Sequence, residues 1–361
     1  MKNIKFYALI LLMAFFLTFT LGGCGGEESH TIGGSGDDGG GGEIPFADSS
    51  GTKRGDRTGT DKFNGILIDQ TVVTRCAENP LITADSSPTI GDNINGPSVI
   101  RAPDWLPQRL GRYYMYFAHH KGTFIRLAYS DKLCGKWKVY EPGTLRLEQA
   151  KDFVDHIASP DVHVDESKRQ IRMYFHGPRS DGIRGQRTGV AVSGDGIHFE
   201  VVGSNLGMAY FRVFWWRDAF YAVARGNKSG ALLRSIHSMN IFAKGPDIIP
   251  RMRHAAILPW DDAFLVFFSR IGDAPERILV SSMSIGQDWH KVIISPPAKV
   301  LKPSTIYEGN DLPVVPSKSG PTKRARQLRD PAVFQDEGRI YLFYSIAGES
   351  GIALSELNIA R

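Results

Sequence analysis

Five short stretches carry the side chains best suited to proton transfer or anion binding. Asp161 lies in "ASPDVHV", Arg212 in "YFRVFW", Arg253 and His254 in "RHAAIL", and Arg329 with Asp330 in "RDPAVF"; "NGPSVI" (95–100) has Asn95 and Gly96 at the matching place. A carboxylate can take a proton or tune a neighbour, an imidazole titrates near neutrality, and a guanidinium grips hydroxyls or anions through several N–H groups at once. Other stretches could add groups. "YEGNDLPVVPS" carries Glu308 and Asp311 in a loop expected to overhang the same place, with Asp311 suited to a turn. "AHHKG" puts His119 and His120 at a strand end, where neighbours point to opposite sides, so one of them lines the site as a ligand contact or a holder of a divalent cation. Asp104 in "RAPDW" reads as a turn residue, and Asp273 and Glu276 in "RIGDAPERI" as a solvated hairpin whose Glu276 and Arg277 pair with neighbouring elements.

Such groups act together only if the fold gathers them, and a repeat does so. After each stretch come a polar turn and a second strand ("RYYMYFA", "QIRMYFH", "AFYAVAR", "AFLVFFS", "RIYLFYS"), then a third ("FIRLAYSD", "TGVAVSGD", "GALLRS", "RILVSSM", "GIALSEL"). An aromatic opens a fourth strand at Trp137, Phe199 and Trp289, with a weaker version near Phe242. Five such units without amphipathic helices predict an all-β fold, a five-bladed β-propeller over 61–361, in preference to a pair of β-sandwiches. The last unit has three strands, and "FNGILIDQTVV" (63–73) is an orphan, so the N-terminal strand is expected to close the last blade. The first strand of each blade lines the channel. That brings Asp161, Arg212, His254, Arg329 and Asp330 to one mouth.

The totals suit this picture. The chain has 361 residues, is 42% hydrophobic, and its formal charge of +5 comes from 43 basic and 38 acidic residues without a dense basic block, which argues against nucleic acid as a partner. Lys2 and Lys5 precede an apolar run from Phe6 to Leu21 that ends in Leu21-Gly22-Gly23-Cys24. This reads as a lipoprotein signal peptide over 1–23, with lipidation of Cys24 anchoring the protein to the bacterial cell envelope. Residues 24–60 read as a glycine-rich tether. Cys76 and Cys134 remain, either as a pair or as two buried thiols.

A funnel of carboxylates, arginines and a histidine among aromatics suits a polyhydroxylated ligand, and glycosidic hydrolysis needs one proton donor and one carboxylate acting on water or carbon. The chain resembles the five-bladed propeller glycoside hydrolases of families 43, 32, 117 and 130 over roughly residues 63 to 361. "ASPDV" with Asp161 is similar to the family 43 motif whose aspartate tunes the acid and orients substrate. "RDPAVF" is similar to the Arg-Asp-Pro motif of family 32, which there lies on the second blade and here on the fifth. His254 is similar in place to the histidine acid of family 117. The family 43 base and acid have no counterparts, since Gly96 follows Asn95 in the first blade and "AYFRVF" opens the third.

The resemblance implies a glycan substrate hydrolysed by single displacement. Asp161 and Asp330 hold substrate, one of them serving as base, and His254 or Glu308 is the acid. Arg212, Arg253, Arg329 and His120 bind hydroxyls or an acidic sugar; no cofactor is called for by a motif, and a divalent cation bound in the channel is left open. A carbohydrate-binding propeller without catalysis is the alternative, and a structural envelope propeller the third.

Overall fold

Runs of β-branched and aromatic residues punctuated by turns become strands along the whole folded chain. The computed structural model describes residues 67 to 360; the expected signal peptide, Cys24 and tether lie outside the described residues. Two N-terminal strands, β1 (Leu67–Arg75) and β2 (Ile82–Thr83), come first. Blade one is β3 (Asn95–Arg101), β4 (Tyr113–Ala118), β5 (Arg126–Ser130) and β6 (Lys138–Tyr140). Blade two is β7 (Ala158–Asp165), β8 (Gln170–Pro178), β9 (Gln186–Ser193) and β10 (Glu200–Met208). Blade three is β11 (Arg212–Trp216), β12 (Ala219–Arg225), β13 (Ser229–Ser235) and β14 (Ala243–Pro250). Blade four runs from β15 (Met252–Trp260) through β16 (Ala263–Arg270) and β17 (Ile278–Ile285) to β18 (Val292–Ile294) and β19 (Ala298–Leu301). Blade five holds β20 (Arg329–Asp336), β21 (Arg339–Ile346) and β22 (Gly351–Ala360). Every pairing within a blade is antiparallel, and the result is the expected five-bladed propeller.

Turn chemistry sets the hairpins. Arg217 and Asp218, and again Glu337 and Gly338, all have positive φ and form two-residue connections of the mirror-image kind whose twist matches paired strands. The second strands are apolar without alternation; in β4 every residue from Tyr113 to Ala118 is buried. Each sheet is covered on both faces by neighbouring blades, so both faces must be apolar. Five hydrophobic clusters among the described residues fill the seams. Tyr114 and Leu127 meet Met173 and Phe175, Tyr174 and Val190 meet Phe211 and Leu233, and Phe214 and Tyr221 meet Phe264 and Met283. Leu265 and Phe267 meet Leu342 and Tyr344, and Phe343 and Leu354 meet Met115 and Trp137 across the seam that closes the ring.

That closing seam is fastened twice. β1 pairs antiparallel with β22, with Val72 opposite Asn358 and Arg75 opposite Ser355, which supplies the missing fourth strand of blade five. Immediately after β1, Cys76 is disulfide-bonded to Cys134 in the turn between β5 and β6, with Cα atoms 5.5 Å apart. The two cysteines thus join the closing strand of blade five to blade one. The bridge closes a loop of 58 residues, for which loop-closure entropy gives a stabilisation of about 4 kcal/mol. A Cys76→Ser/Cys134→Ser variant should therefore melt several degrees lower in a thermal scan. Adding a thiol reductant should lower the melting temperature of the wild type and leave that of the variant unchanged.

Candidate functional site at the channel mouth

The inner strands β3, β7, β11, β15 and β20 surround the axis, and four of the five are entered through the same backbone kink. Gly96, Ser159, Tyr210 and Asp330 all have positive φ, between 47° and 63°, and β3, β7 and β20 each shift register directly after this residue. Only Gly96 takes this conformation freely, and a Cβ there would stand 3.2 Å from the Cα of Ser159. For the other three the left-handed backbone costs energy, which the packed ring supplies, and it aims their side chains at the mouth.

His254 and Asp330, from blades four and five, are in direct contact through Nδ1 and Oδ1. Ser345 donates its hydroxyl to the other Asp330 oxygen at 3.1 Å. Tyr210 stacks on His254 at 4.2 Å and on His176 at 3.8 Å, so three rings from three blades lie in one pile, with the Arg225 guanidinium over Tyr210. Burial, then the positive charges of Arg212, Arg225 and Arg253, push His254 well below the usual histidine range. The ring is neutral near pH 7. Nδ1 faces Asp330 Oδ1 at contact distance without hydrogen-bond geometry, and among the described residues Nε2 has no hydrogen-bond partner either. This environment disfavours the protonated ring, so His254 is not held ready to donate a proton.

Beside this pair runs a file of alternating charge. Arg253 donates Nε to Glu276 Oε1 at 2.7 Å, Glu276 Oε2 lies 3.1 Å from Arg329 Nε, and Arg329 Nη1 donates to Glu349 at 2.8 Å. Glu349 accepts from Asn93 at 2.7 Å and stands 3.6 Å from His120 Nδ1. Burial opposes ionisation of Glu349, yet the bonds from His120 and Asn93 and the charge of Arg329 outweigh it and bring its pKa from 4.5 to about 2. Arg253 and Arg329, expected to bind ligand, are instead 2% and 0% exposed and spent on these carboxylates. Glu276, expected in a solvated hairpin, is fully buried; it does make the ion pair to a neighbouring blade.

Two further expectations change. Glu308 does not overhang the channel. It is buried beneath the closing strand, where it accepts from Arg75 Nε at 2.8 Å, from the Ser304 backbone at 2.7 Å and from the Tyr344 hydroxyl at 3.0 Å. It anchors β1 and has no access to a substrate. Asp161 lies two residues past the kink, where Ser159 holds the mouth position. Its Oδ2 accepts from the Val213 backbone at 2.8 Å and contacts His163 Nε2 at 2.9 Å, inside a narrow channel of about 160 Å³ that Arg212 also lines. Burial opposes its ionisation, but His163 and Arg212 hold its pKa below the ordinary value. Asp161 therefore ties blade two to blade three at a deeper level than His254 and Asp330. Asp104 is bonded to Arg109 in an exposed turn, and Asp311 pairs with Arg324 at the surface. Among the described residues no group of three or more His, Cys, Asp or Glu side chains is placed to hold a metal ion.

Above the ring pile opens a cleft of about 900 Å³. His120, Tyr210 and Arg225 line its inner part, and Arg187, Lys228 and Ser319 lie among its outer walls. Sequence reasoning missed Tyr210, His176, Arg187, Arg225 and Glu349 as members of the site. Tyr210 occupied a mouth position that was read for charge alone, and the others sit at the ends of second and third strands or in a short turn, where no motif marks them.

The fold and this mouth define a five-bladed β-propeller of the type that glycoside hydrolases use. Its solved likenesses include a thermostable family 43 glycoside hydrolase (TM-score 0.54, 13% identity, 78% of this chain and 91% of that one) and an α-L-arabinofuranosidase from Lactobacillus brevis (TM-score 0.51, 12% identity, 77% and 92%). A candidate glycoside hydrolase from Bacteroides ovatus is also similar (TM-score 0.57, 12% identity, 79% and 96%). The chain belongs to the same family as the uncharacterized protein R118 of Acanthamoeba polyphaga mimivirus, with 36% identity over 297 residues, 73% of this chain and 83% of the viral protein. No protein-family model matches the chain.

Removing one member of the charge file exposes its worth. Glu276→Gln leaves Arg253 and Arg329 buried without their shared counter-ion, and chemical denaturation should show a loss of about 3 kcal/mol or more. Glu349 gives a pH signature. Its folded pKa is depressed, so its contribution is complete above 4.5 and is lost as pH falls toward about 2. Acid titration of stability should be shallower over that interval in Glu349→Gln than in the wild type.

Proposed function

We propose that the protein is a glycoside hydrolase whose proton transfers are carried by imidazoles held on carboxylates. The observation that carries this reading is His120 lining the cleft beside ionised Glu349, with Tyr210 of the same lining packed on the buried, neutral His254 that contacts Asp330. One ring stands beside an ionised carboxylate and the other is buried and neutral, the kind of difference in environment that separates acid from base assignments. His120, supported by Glu349, delivers a proton to the departing glycosidic oxygen. A water molecule attacks the anomeric carbon and passes its proton to Nε2 of His254, so that one water is added across the bond and exchange with solvent resets both rings. Tyr210 offers an aromatic face for the sugar.

The lipoprotein-like N-terminus supports an anchored protein of the bacterial cell envelope acting on accessible oligo- or polysaccharide. The Cys76–Cys134 bridge fits an oxidising compartment.

A binding protein without turnover is the second reading, and one observation favours it. Among the described residues the one carboxylate lining the cleft is Asp247, on the outermost strand of blade three and bonded to Lys244 at 3.0 Å, so these residues offer no pair for a two-carboxylate mechanism. Release of reducing ends from a broad glycan panel separates the two. Wild type should release product, and His120→Gln and Asp330→Asn should each lower kcat by about 100-fold or more while KM changes little for His120→Gln. Binding without release by the wild type would replace hydrolysis with recognition. Full turnover by both variants would remove these groups from the mechanism.

A further inference from the structure

The cleft walls have a charge the propeller does not need. Arg184, Arg187, Arg225, Lys228 and Lys244 line it, and the single carboxylate among the described lining residues, Asp247, is already bonded to Lys244. Arg253 and Arg329, by contrast, share Glu276 as a counter-ion. In the cleft this is not so. Nε of Arg187 is shielded from solvent without a hydrogen-bond partner, and so is Nη2 of Arg212 deeper on the axis. Arg225 donates to the neutral Ser319 hydroxyl at 2.8 Å and lies over Tyr210, leaving its charge uncompensated. A buried donor without a partner costs free energy unless a ligand supplies an acceptor, and several cations facing one space repel each other until an anion enters.

We propose that the ligand of this cleft is an anionic saccharide, bearing sulfate or carboxylate groups, whose charge is received by Arg187, Arg225 and Lys228. This rests on the reading of the cleft as a saccharide site and adds the substrate class. The aromatic floor at Tyr210 takes the sugar ring, and the cationic wall takes the anionic substituent, so one molecule satisfies both. A neutral glycan would leave the wall unpaired.

Calorimetric titration of the full chain with a heparin tetrasaccharide, a tetragalacturonate, a neutral maltotetraose, a tetranucleotide and inorganic sulfate tests it. At low salt at least one of the two charged saccharides should bind about tenfold or more tighter than the maltotetraose, and tighter than the nucleotide or free sulfate. Its affinity should fall as salt rises. Whichever of the two binds better identifies the group as sulfate or carboxylate. Arg187→Gln with Lys228→Gln should weaken that binding by about tenfold or more, with Arg187→Lys with wild-type Lys228 as the charge-preserving control for folding. Equal or tighter binding of maltotetraose overturns the inference and leaves the hydrolase proposal standing. Tighter binding of the nucleotide or of sulfate alone, or unchanged affinity in the charge-removing variant, also overturns it. Tight binding of a charged saccharide that is never cleaved upholds the inference and defeats the hydrolase reading instead.

Discussion

The file of alternating charge from Arg253 through Glu276, Arg329 and Glu349 to His120 is the interaction on which the mouth depends. A propeller brings the leading ends of its inner strands to one axis, where five sets of polar groups must be satisfied away from water. Like charges in that space would force the blades apart. Here blades four and five each contribute a cation and an anion and blade one adds His120, so Glu276, Arg329 and Glu349 are each held by two neighbours in the file. The same file fixes what can do chemistry. By taking up Glu276 and Glu349 it removes them as nucleophile or free base, and by spending Arg253 and Arg329 it leaves ligand charge to the cleft wall.

The fate of the carboxylates shows how environment, more than residue type, decides a role. Glu308, Asp161 and Asp330 are all buried acids near the ring, and each does something different. Glu308 gathers donors from a 3-10 turn, Arg75 and Tyr344 and so ties down the closing strand. Asp161 satisfies a backbone N–H of the next blade. Asp330 meets the buried imidazole of His254, which lies beneath Tyr210 of the cleft lining. Three acids that look equivalent in a list of residues become an anchor, a spacer and a seat for an imidazole once their partners are known.

The fold was legible in the sequence because its signals are periodic. Apolar runs such as "YYMYFA" and "AFLVFFS" recur at matching places, and each strand they announce is present; the orphan segment before the first unit pairs with β22 as the vacant position required. The site was legible in part. His254 and Asp330 meet because the register of the inner strands was read correctly, whereas Asp161 was placed at the mouth although the residue before proline, Ser159, is the one that occupies it. Arg253, Arg329 and Glu308 carry charge, which sequence displays, but whether a charge faces ligand or counter-ion is settled by long-range partners such as Glu276 and Arg75. Tyr210 and Glu349 had no pattern to announce them, since a loop residue acquires its meaning from the blade that packs against it.

The seam between blades five and one, which the chain crosses on its way from β1 to β3, is also where His120 and Glu349 are brought together. Blade one reaches blade five there through Asn93 on Glu349 and through the Ile94 amide on the Glu349 carbonyl at 2.6 Å, and His120 completes the group. The Cys76–Cys134 bond guards this same junction. The bond thus clasps the strand that completes blade five to blade one, the two blades whose residues form the His120–Glu349 contact.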